Sequence, residues 1–412
     1  GVPPDGAIAS GLNYNVQAYN GNVGYFNKSD GSRAYNTSIW NFFGTDTSKS
    51  MFDPRAVYDI NNDRYVLVIA VKNQDGSGYW RVAVSDDSDP FGTWYLASIS
   101  PQNSSNWVDY PGLGIGNHTI ALTGNVWAAD GTWADSEIVL IDKSTFYDSS
   151  GGITFERFTN NTDPDGSAAS FMMPAHKMTN SNYVYFLDAQ AGTDWINLTT
   201  IYDPFGSDTV TTGKIPLNFT YNAHKYVTEY GTTNDLITSS AHIPSTIVYE
   251  NGSLWAAHTI EYNWNGTDKQ AIIQWYEFDA SSRSVIQNGG FGHSDQDFCF
   301  PVVMANKNGD MMLGYCRTSY PDQIYPSIEV TGRLASDSSG TLQSGVRTKN
   351  GVSGYNPTPD SNSGGTKERW GDYGAMSLDP ANTNEFWLQL EYTANSSDQD
   401  SYGLWTSKSS LS

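Results

Sequence analysis

One pattern recurs six times between residues 51 and 412 and limits the fold more than any other feature. An aromatic or apolar residue stands beside a proline or tight bend; an apolar strand follows, then a turn with Asn, Asp or Gly, then a second strand dense in aromatics. The copies start at Phe52-Asp53-Pro54, Tyr110-Pro111, Met173-Pro174, His242-Ile243-Pro244, Phe300-Pro301 and Arg369-Trp370-Gly371-Asp372-Tyr373. They lie roughly 60 to 70 residues apart, the period of a four-stranded unit with long loops. Third strands follow the hairpins, as in Trp80–Val84, Glu137–Ile141, Ile272–Tyr276 and Tyr402–Trp405, and helical periodicity is almost absent. The pattern predicts an all-β chain: one β-propeller over residues 1–412 with four-stranded antiparallel blades, seven of them, or six as the alternative. Residues 1–50 hold three more strand-like pieces, near Tyr14–Tyr19, Val23–Asn27 and Tyr35–Phe43. They form either an N-terminal blade or the strands that close the ring after Trp405, since an open ring leaves unpaired edges.

Charge narrows the function. The chain has 22 Lys and Arg against 44 Asp and Glu, a net charge of −22, which excludes a protein built to hold nucleic acid. Aromatic residues make up 14% and charged residues only 16%, so a packed core is expected under a surface of Asn, Ser, Thr and Gly, a composition common outside the cell. The longest uncharged apolar stretch, near Tyr65 to Val71, is far shorter than the roughly 20 residues of a spanning helix, so no membrane span is expected. The sequence begins at Gly1 rather than Met, and removal of an export signal is the expectation.

The two cysteines allow a geometric test. A four-residue loop at Asn306–Gly309 sets Ala305 opposite Asp310, and counting outward sets Cys299 opposite Cys316, within reach of a cross-strand disulfide. Ten Asn-x-Ser/Thr sites, at Asn27, Asn36, Asn103, Asn117, Asn160, Asn197, Asn218, Asn251, Asn265 and Asn395, are candidate glycosylation positions, most of them beside turn signals.

Several motifs together resemble a largely uncharacterised family of exported prokaryotic β-propeller proteins. They are Phe52-Asp-Pro-Arg55, Val82-Ala-Val-Ser85 with Ser88-Asp-Pro-Phe-Gly-Thr-Trp94, Trp107-Val-Asp-Tyr-Pro111, Asn251-Gly-Ser-Leu-Trp-Ala-Ala-His258 and Arg369-Trp-Gly-Asp-Tyr373. The resemblance spans roughly residues 40 to 408 and implies the fold and export; it implies no activity. The cysteine pair is not among the shared motifs.

Equivalent positions at the starts of successive blades form a ring on one face. Asp53, Arg55, Trp107, Asp109, His176, His242, Arg369, Asp372 and Tyr373 are therefore expected to converge at the channel as a site for a sugar or other polar ligand. The competing expectation is that these residues only tie neighbouring blades together. Sialidase chemistry fits poorly: there are ten Arg, Phe52-Asp-Pro-Arg55 is not the Phe/Tyr-Arg-Ile-Pro signature, and Ser88–Trp94 has the wrong spacing for the Ser-x-Asp-x-Gly-x-x-Trp box. His176, His242 and His258 lack any zinc-site context, so no zinc site is expected. Ca2+ is considered at Asp59–Asp63 and Asp86–Asp89, where neither segment has EF-hand spacing, and no other cofactor is expected. Gly112-Leu-Gly114-Ile-Gly116 has the wrong spacing to cradle phosphate.

The expectation is a secreted or cell-surface propeller acting as a structural or binding module, such as a repeated subunit of an extracellular layer, filament or appendage. Its expected partners are other copies of itself, other cell-surface components or glycans. One alternative is an extracellular carbohydrate-active enzyme using a carboxylate pair on the channel face; another is a glycan-binding adhesin or virion component. Without a complete catalytic signature, binding is favoured over catalysis.

Overall fold

Strand pairing follows the repeat. The computed structural model describes residues 3–148, 152–224, 226–238, 241–264, 266, 269–356, 367–395 and 401–411. Blade 1 runs from Ala7–Ser10 to Arg33–Ser38, blade 2 from Ser50–Asp59 to Trp94–Ile99, and blade 3 from Trp107–Ile115 to Phe155–Phe158. Blade 4 runs from Met173–Lys177 to Thr209–Pro216, blade 5 from Ile247–Glu250 to Ser284–Phe291, and blade 6 from Asp297–Ala305 to Val346–Lys349. Blade 7, from Ala375–Leu378 to Tyr402–Ser410, has three strands among the described residues where the others have four. The first strand of each blade packs on the first strand of the next, and Ala7–Ser10 on Ala375–Leu378 completes the circle. The fold is an all-β propeller. Among the described residues no helix is long and apolar enough to cross a membrane.

Residues 1–50 make a blade of their own, and none of their described strands enters blade 7. The ring is therefore not closed by the N-terminal strands as the alternative expectation had it; side chains close it. Ser10 N donates to Ser377 Oγ at 3.0 Å, Gln389 Nε2 to Gln17 Oε1 at 2.7 Å, and Lys28 pairs with Asp379 at 2.9 Å. Blades 4 and 5 are joined more tightly, because their short inner strands pair in parallel, with Ala175 opposite Ile247 and Lys177 opposite Tyr249.

Between blades the core is filled mainly by aliphatic and aromatic side chains. Trp80 of blade 2 is fully buried against blade 3, and its indole N–H donates to the Thr123 carbonyl at 2.9 Å, so the buried donor is satisfied. This close approach requires Gly124, where a Cβ would stand 2.3 Å from Val108 Cγ2 and 2.9 Å from the Trp80 ring. Gly112 and Gly114 serve the same end: a Cβ on Gly114 would stand 2.5 Å from the Ala175 carbonyl of blade 4.

Cys299 does pair with Cys316, though by a different route from simple counting. The hairpin loop is one residue longer than expected, since Ala305 faces Met311, and a bulge at Phe300-Pro301 restores the register. Phe300 accordingly has φ +53°, the left-handed region. Both side chains are buried free thiols in this structure, and a hydrogen bond with Cys316, together with burial, pushes the Cys299 thiol well above its ordinary pKa.

Of the ten candidate glycosylation positions, Asn36, Asn103, Asn160, Asn218 and Asn251 are exposed, and Asn27, Asn117 and Asn395 are half-buried. Asn265 lies outside the described residues. Asn197 corrects its expectation: it is fully buried and donates to Asp163 at 3.2 Å and Asp188 at 2.8 Å, so the folded chain presents no acceptor there.

The thiol chemistry gives an ordered prediction. Exchange needs a thiolate, so oxidant added to the folded protein is expected to leave the pair reduced, whereas refolding in a glutathione redox buffer closes the bond. The crosslinked loop of about 16 residues is expected to add about 3 kcal/mol to stability. Intact mass and thiol labelling under denaturing, non-reducing conditions read the result; two labelled thiols after oxidative refolding would refute it.

Candidate functional site

The strand starts that the repeat picks out are shaped by bulges. Asp53 and Tyr110, each preceding a proline, have φ +58° and +52°, and each coincides with a shift in strand register. Proline disfavours the helical region for the residue before it, and the bulge re-aims that residue's side chain out of the strand's alternation. Asp5, ahead of blade 1, repeats the geometry with φ +46°.

These bulges bring carboxylates from several blades to one mouth of the channel. Asp5 Oδ1 accepts from Asp372 N at 2.8 Å, and Asp5 Oδ2 accepts from Asn20 Nδ2 at 2.8 Å. Asn20 Oδ1 accepts from Asp53 N at 2.8 Å, and Tyr110 N is shared between Asp53 Oδ2 at 3.2 Å and Asp109 Oδ1 at 3.1 Å. Arg369 forms an ion pair with Asp372. The result is a hydrogen-bonded belt running from the segment before blade 7 through blades 1 and 2 to blade 3.

Above the belt lies an open depression of about 630 Å³. Asp53, Asp109, Asp372, Arg369, Lys72 and Trp107 line it, with Phe52, Tyr110, Phe171 and His242 on its walls. Lys72 Nζ sits 3.6 Å from the centre of the Trp107 ring, a close cation–π contact. His242 stacks on Phe171 at 4.2 Å and shares a hydrogen bond of 3.1 Å with the Tyr110 hydroxyl. Burial, with the nearby Arg55 charge, pulls the His242 pKa down to about 3, so this ring is neutral.

Arg55 and Tyr373 lie beneath the depression rather than in it. The Arg55 guanidinium lies 3.2 Å from the Tyr373 ring centre and 5.1 Å from that of Tyr110, and it donates to the Pro111 and Pro244 carbonyls, each at 3.0 Å. His176 is placed elsewhere. It lies three residues beyond Met173, about 10 Å down a strand leading away from the mouth, where Asp59 and Lys143 are the charges that bear on it. Sequence reasoning missed Asp5, Asn20, Lys72 and Phe171. Asp5 had one available signal, a bend just ahead of a strand, but blade 1 lacks the residue–proline pair that marked five of the other copies.

The segments considered for Ca2+ hold their own turns. Asp59 is paired with Lys143 at 2.6 Å and accepts from the Tyr147 hydroxyl at 2.8 Å; Asp86 and Asp89 accept turn amides at 3.0 and 3.1 Å. Asp59 is thereby neutralised, Asp89 closes an ordinary Asx turn, and Asp86 ties together the two ends of its loop.

Burial dominates the electrostatics of the belt. It raises Asp5 from its ordinary 3.8 to about 7, with repulsion from Asp372 adding to the effect. Asp53 is pushed well above the carboxylate range by burial and by Asp5, and Asp109 is raised by burial and by Asp372. Burial opposes the Arg369 charge, but Asp372 and Asp5 outweigh it and hold that pKa above its usual value.

A group whose pKa rises on folding gives stability that is complete below its unfolded value of 3.8 and is lost as pH climbs through about 7. In the presence of a chelator, wild type is therefore expected to lose a few degrees of Tm relative to Asp5→Asn between about pH 5 and about pH 8. Parallel melting curves for the two proteins across that range would contradict the assignment.

No family model matches the chain, and neither does any curated protein. Among solved structures it is similar to Hsv2 of Kluyveromyces lactis, at 8% identity over 98% of each chain with a TM-score of 0.44. It is also similar to the alpha-L-arabinofuranosidase of Fusarium graminearum, at 11% identity over 84% of this chain and 90% of that one, TM-score 0.44. A third likeness is to the alpha-L-arabinanase of Penicillium chrysogenum, at 12% identity over 87% and 92%, TM-score 0.41. Likenesses this distant carry no argument about the site, and the propeller rests on the strand pairing of the chain itself.

Proposed function

We propose that this protein is an extracellular binding propeller whose channel-mouth depression takes a polyhydroxylated, saccharide-like ligand. The observation that carries the reading is the placing of Trp107, Asp109, Lys72, Arg369 and Asp372 around one opening of about 630 Å³. Carboxylates accept from sugar hydroxyls, Lys72 and Arg369 donate to ring and hydroxyl oxygens, and aromatic rings cover the apolar C–H faces of a pyranose. Export is supported by the weakly charged, Asn- and Ser-rich composition and by the five exposed glycosylation candidates. A structural subunit of a surface layer is compatible with this reading, since the rim of the propeller remains free for contacts between copies.

Glycosidic hydrolysis is a second reading, and the raised pKa of Asp109 beside Asp372 favours it, because an acid and a carboxylate side by side are what such hydrolysis requires. Against it, Asp5, whose pKa lies about 7, is fully buried in the floor of the depression with both carboxylate oxygens taken, by Asp372 N and Asn20 Nδ2. That makes binding the leading reading.

Isothermal titration against neutral, acidic and amine-bearing oligosaccharides is the direct test. At least one class is expected to bind wild type, with Trp107→Ala losing about tenfold in affinity, or about 1.4 kcal/mol, at a temperature where the variant, less stable for the loss of its contacts with Phe52, Trp127 and Lys72, is still folded. Release of product from the bound sugar, abolished in Asp109→Asn, would move the assignment to hydrolysis. Failure of every class to bind at millimolar concentration would overturn both readings.

A further inference from the structure

Three carboxylates of the belt converge more tightly than a ligand-binding surface requires. Oxygens of Asp5, Asp53 and Asp372 all lie within 4.8 Å of one another. Oxygen ligands on opposite sides of a Ca2+ ion, each at 2.3 to 2.6 Å, stand up to about 5 Å apart, so this triangle falls inside a single coordination sphere.

A second observation comes from behind the triangle. Glu391, on the middle strand of blade 7, is 8% exposed, and its Oε1 has no hydrogen-bond partner. That oxygen faces Gly371, the residue before Asp372, and lies 2.5 Å from where a Cβ on Gly371 would stand. Glycine at this position leaves the room that the carboxylate occupies. Asp5 and Asp372 are the carboxylates whose charges bear on Glu391, and no basic residue among those described forms an ion pair with it. An unpartnered carboxylate oxygen buried behind such a triangle is answered by a proton, toward which burial drives Glu391, or by a cation.

Charge points the same way. Fully ionised, Asp5, Asp53, Asp109, Asp372 and Glu391 would outnumber Arg55, Lys72 and Arg369 by two charges, an excess that burial and mutual repulsion oppose by raising Asp5, Asp53, Asp109 and Glu391 and that a cation would balance instead. Lys72 lies over Trp107, Arg369 pairs with Asp372, and Arg55 donates to carbonyls, so none of the three cations makes an ion pair with Asp5 or Asp53 among the described residues. The donors are all hard oxygens, which select Ca2+ or Mg2+ over softer metals.

We propose that Asp5, Asp53 and Asp372, backed by Glu391, form a divalent-cation site, with Ca2+ the ion that suits their spacing, and that the ion clasps blades 1, 2 and 7 at the seam of the ring. The site does not depend on the saccharide reading, because the ion sits in the floor of the depression and the sugar above it. Titration of oligosaccharide in chelator tests the sugar without the ion, so either idea can fail alone.

The test uses the intact chain after exhaustive chelation. Ca2+ is expected to raise Tm, the rise setting in near a Kd of about 0.1 to 1 mM, as in extracellular modules, and growing with the logarithm of Ca2+ concentration above it. Calorimetric titration with Ca2+ is expected to give one site, lost in Asp53→Asn and kept in Asp89→Asn, which alters only an exposed turn. Should Asp53→Asn fail to fold, Glu391→Gln serves in its place, with about a tenfold weaker Ca2+ affinity expected. No Ca2+-dependent shift or heat in wild type would overturn the proposal. So would an undiminished shift in Asp53→Asn or, where that variant does not fold, an unchanged affinity in Glu391→Gln.

Discussion

The structure turns on one buried guanidinium. Arg55 rises from the inner strand of blade 2, donates to carbonyls at the edges of blades 3 and 5, and lies flat on the Tyr373 ring ahead of blade 7. A buried charge is tolerated only where its donors are used and its field is answered. Two carbonyls take Nε and Nη1, and two aromatic faces with the Asp5 and Asp53 carboxylates answer the charge, which meets most of that need; Nη2 is left without a hydrogen-bond partner. Beneath it the channel narrows to a cavity of about 10 Å³ bounded by Leu113, Met173 and Ala375, so Arg55 divides the polar mouth from an apolar throat. The carboxylates gather at this end of the axis because the positive charge there lowers the cost of gathering them.

Seen from Arg55, the belt serves two roles with the same atoms. Asp5 and Asp53 bind backbone amides of the neighbouring unit, which is how blades become tied at their starts, and the expectation that such residues hold blades together is correct to that extent. Amides use only part of a carboxylate, since each oxygen has two lone pairs. Asp109 and Asp372 keep part of their surface open to the depression, so structural and binding roles fall on different oxygens of one constellation rather than on competing residues.

The fold was largely legible because a propeller repeats its punctuation. Proline before an apolar run marks five of the strand starts, and a tight bend at Arg369–Tyr373 marks a sixth, so six of the blades could be located. The first blade was harder, because Asp5-Gly6 reaches the same left-handed turn without a proline after the aspartate, and Asp5 was lost with it. Within the site, Asp53, Trp107, Asp109, His242, Arg369 and Asp372 were readable as residues near strand starts. His176 looked equivalent in sequence but lies a few residues too far along, and a strand advances about 3.3 Å per residue. The cysteine register was reached by two departures that cancel, a longer loop and a bulge; the bulge at Phe300-Pro301 shares the residue–proline signature of Asp53-Pro54 and Tyr110-Pro111, whereas nothing in the composition of the hairpin discloses the longer loop.

The position of the seam gives the site its physical meaning. Among the described residues blade 7 shares no strand with blade 1, and the polar part of their join is Ser10 with Ser377, Gln17 with Gln389, Lys28 with Asp379, and Asp5 with the Asp372 amide, beside the packing of Ile8 on Ala375 and Trp387. Three of the polar contacts are neutral or charge-balanced; the fourth sets one carboxylate beside another and is the least favourable of the set. Whatever neutralises that pair, a proton at low pH or a cation at high pH, acts on the join that relies most on side chains. A ligand that binds only the closed ring stabilises it by RT ln(1 + [L]/Kd), so occupancy at the mouth and integrity of the propeller are thermodynamically linked. The acidic depression therefore sits where binding energy passes most directly into ring closure.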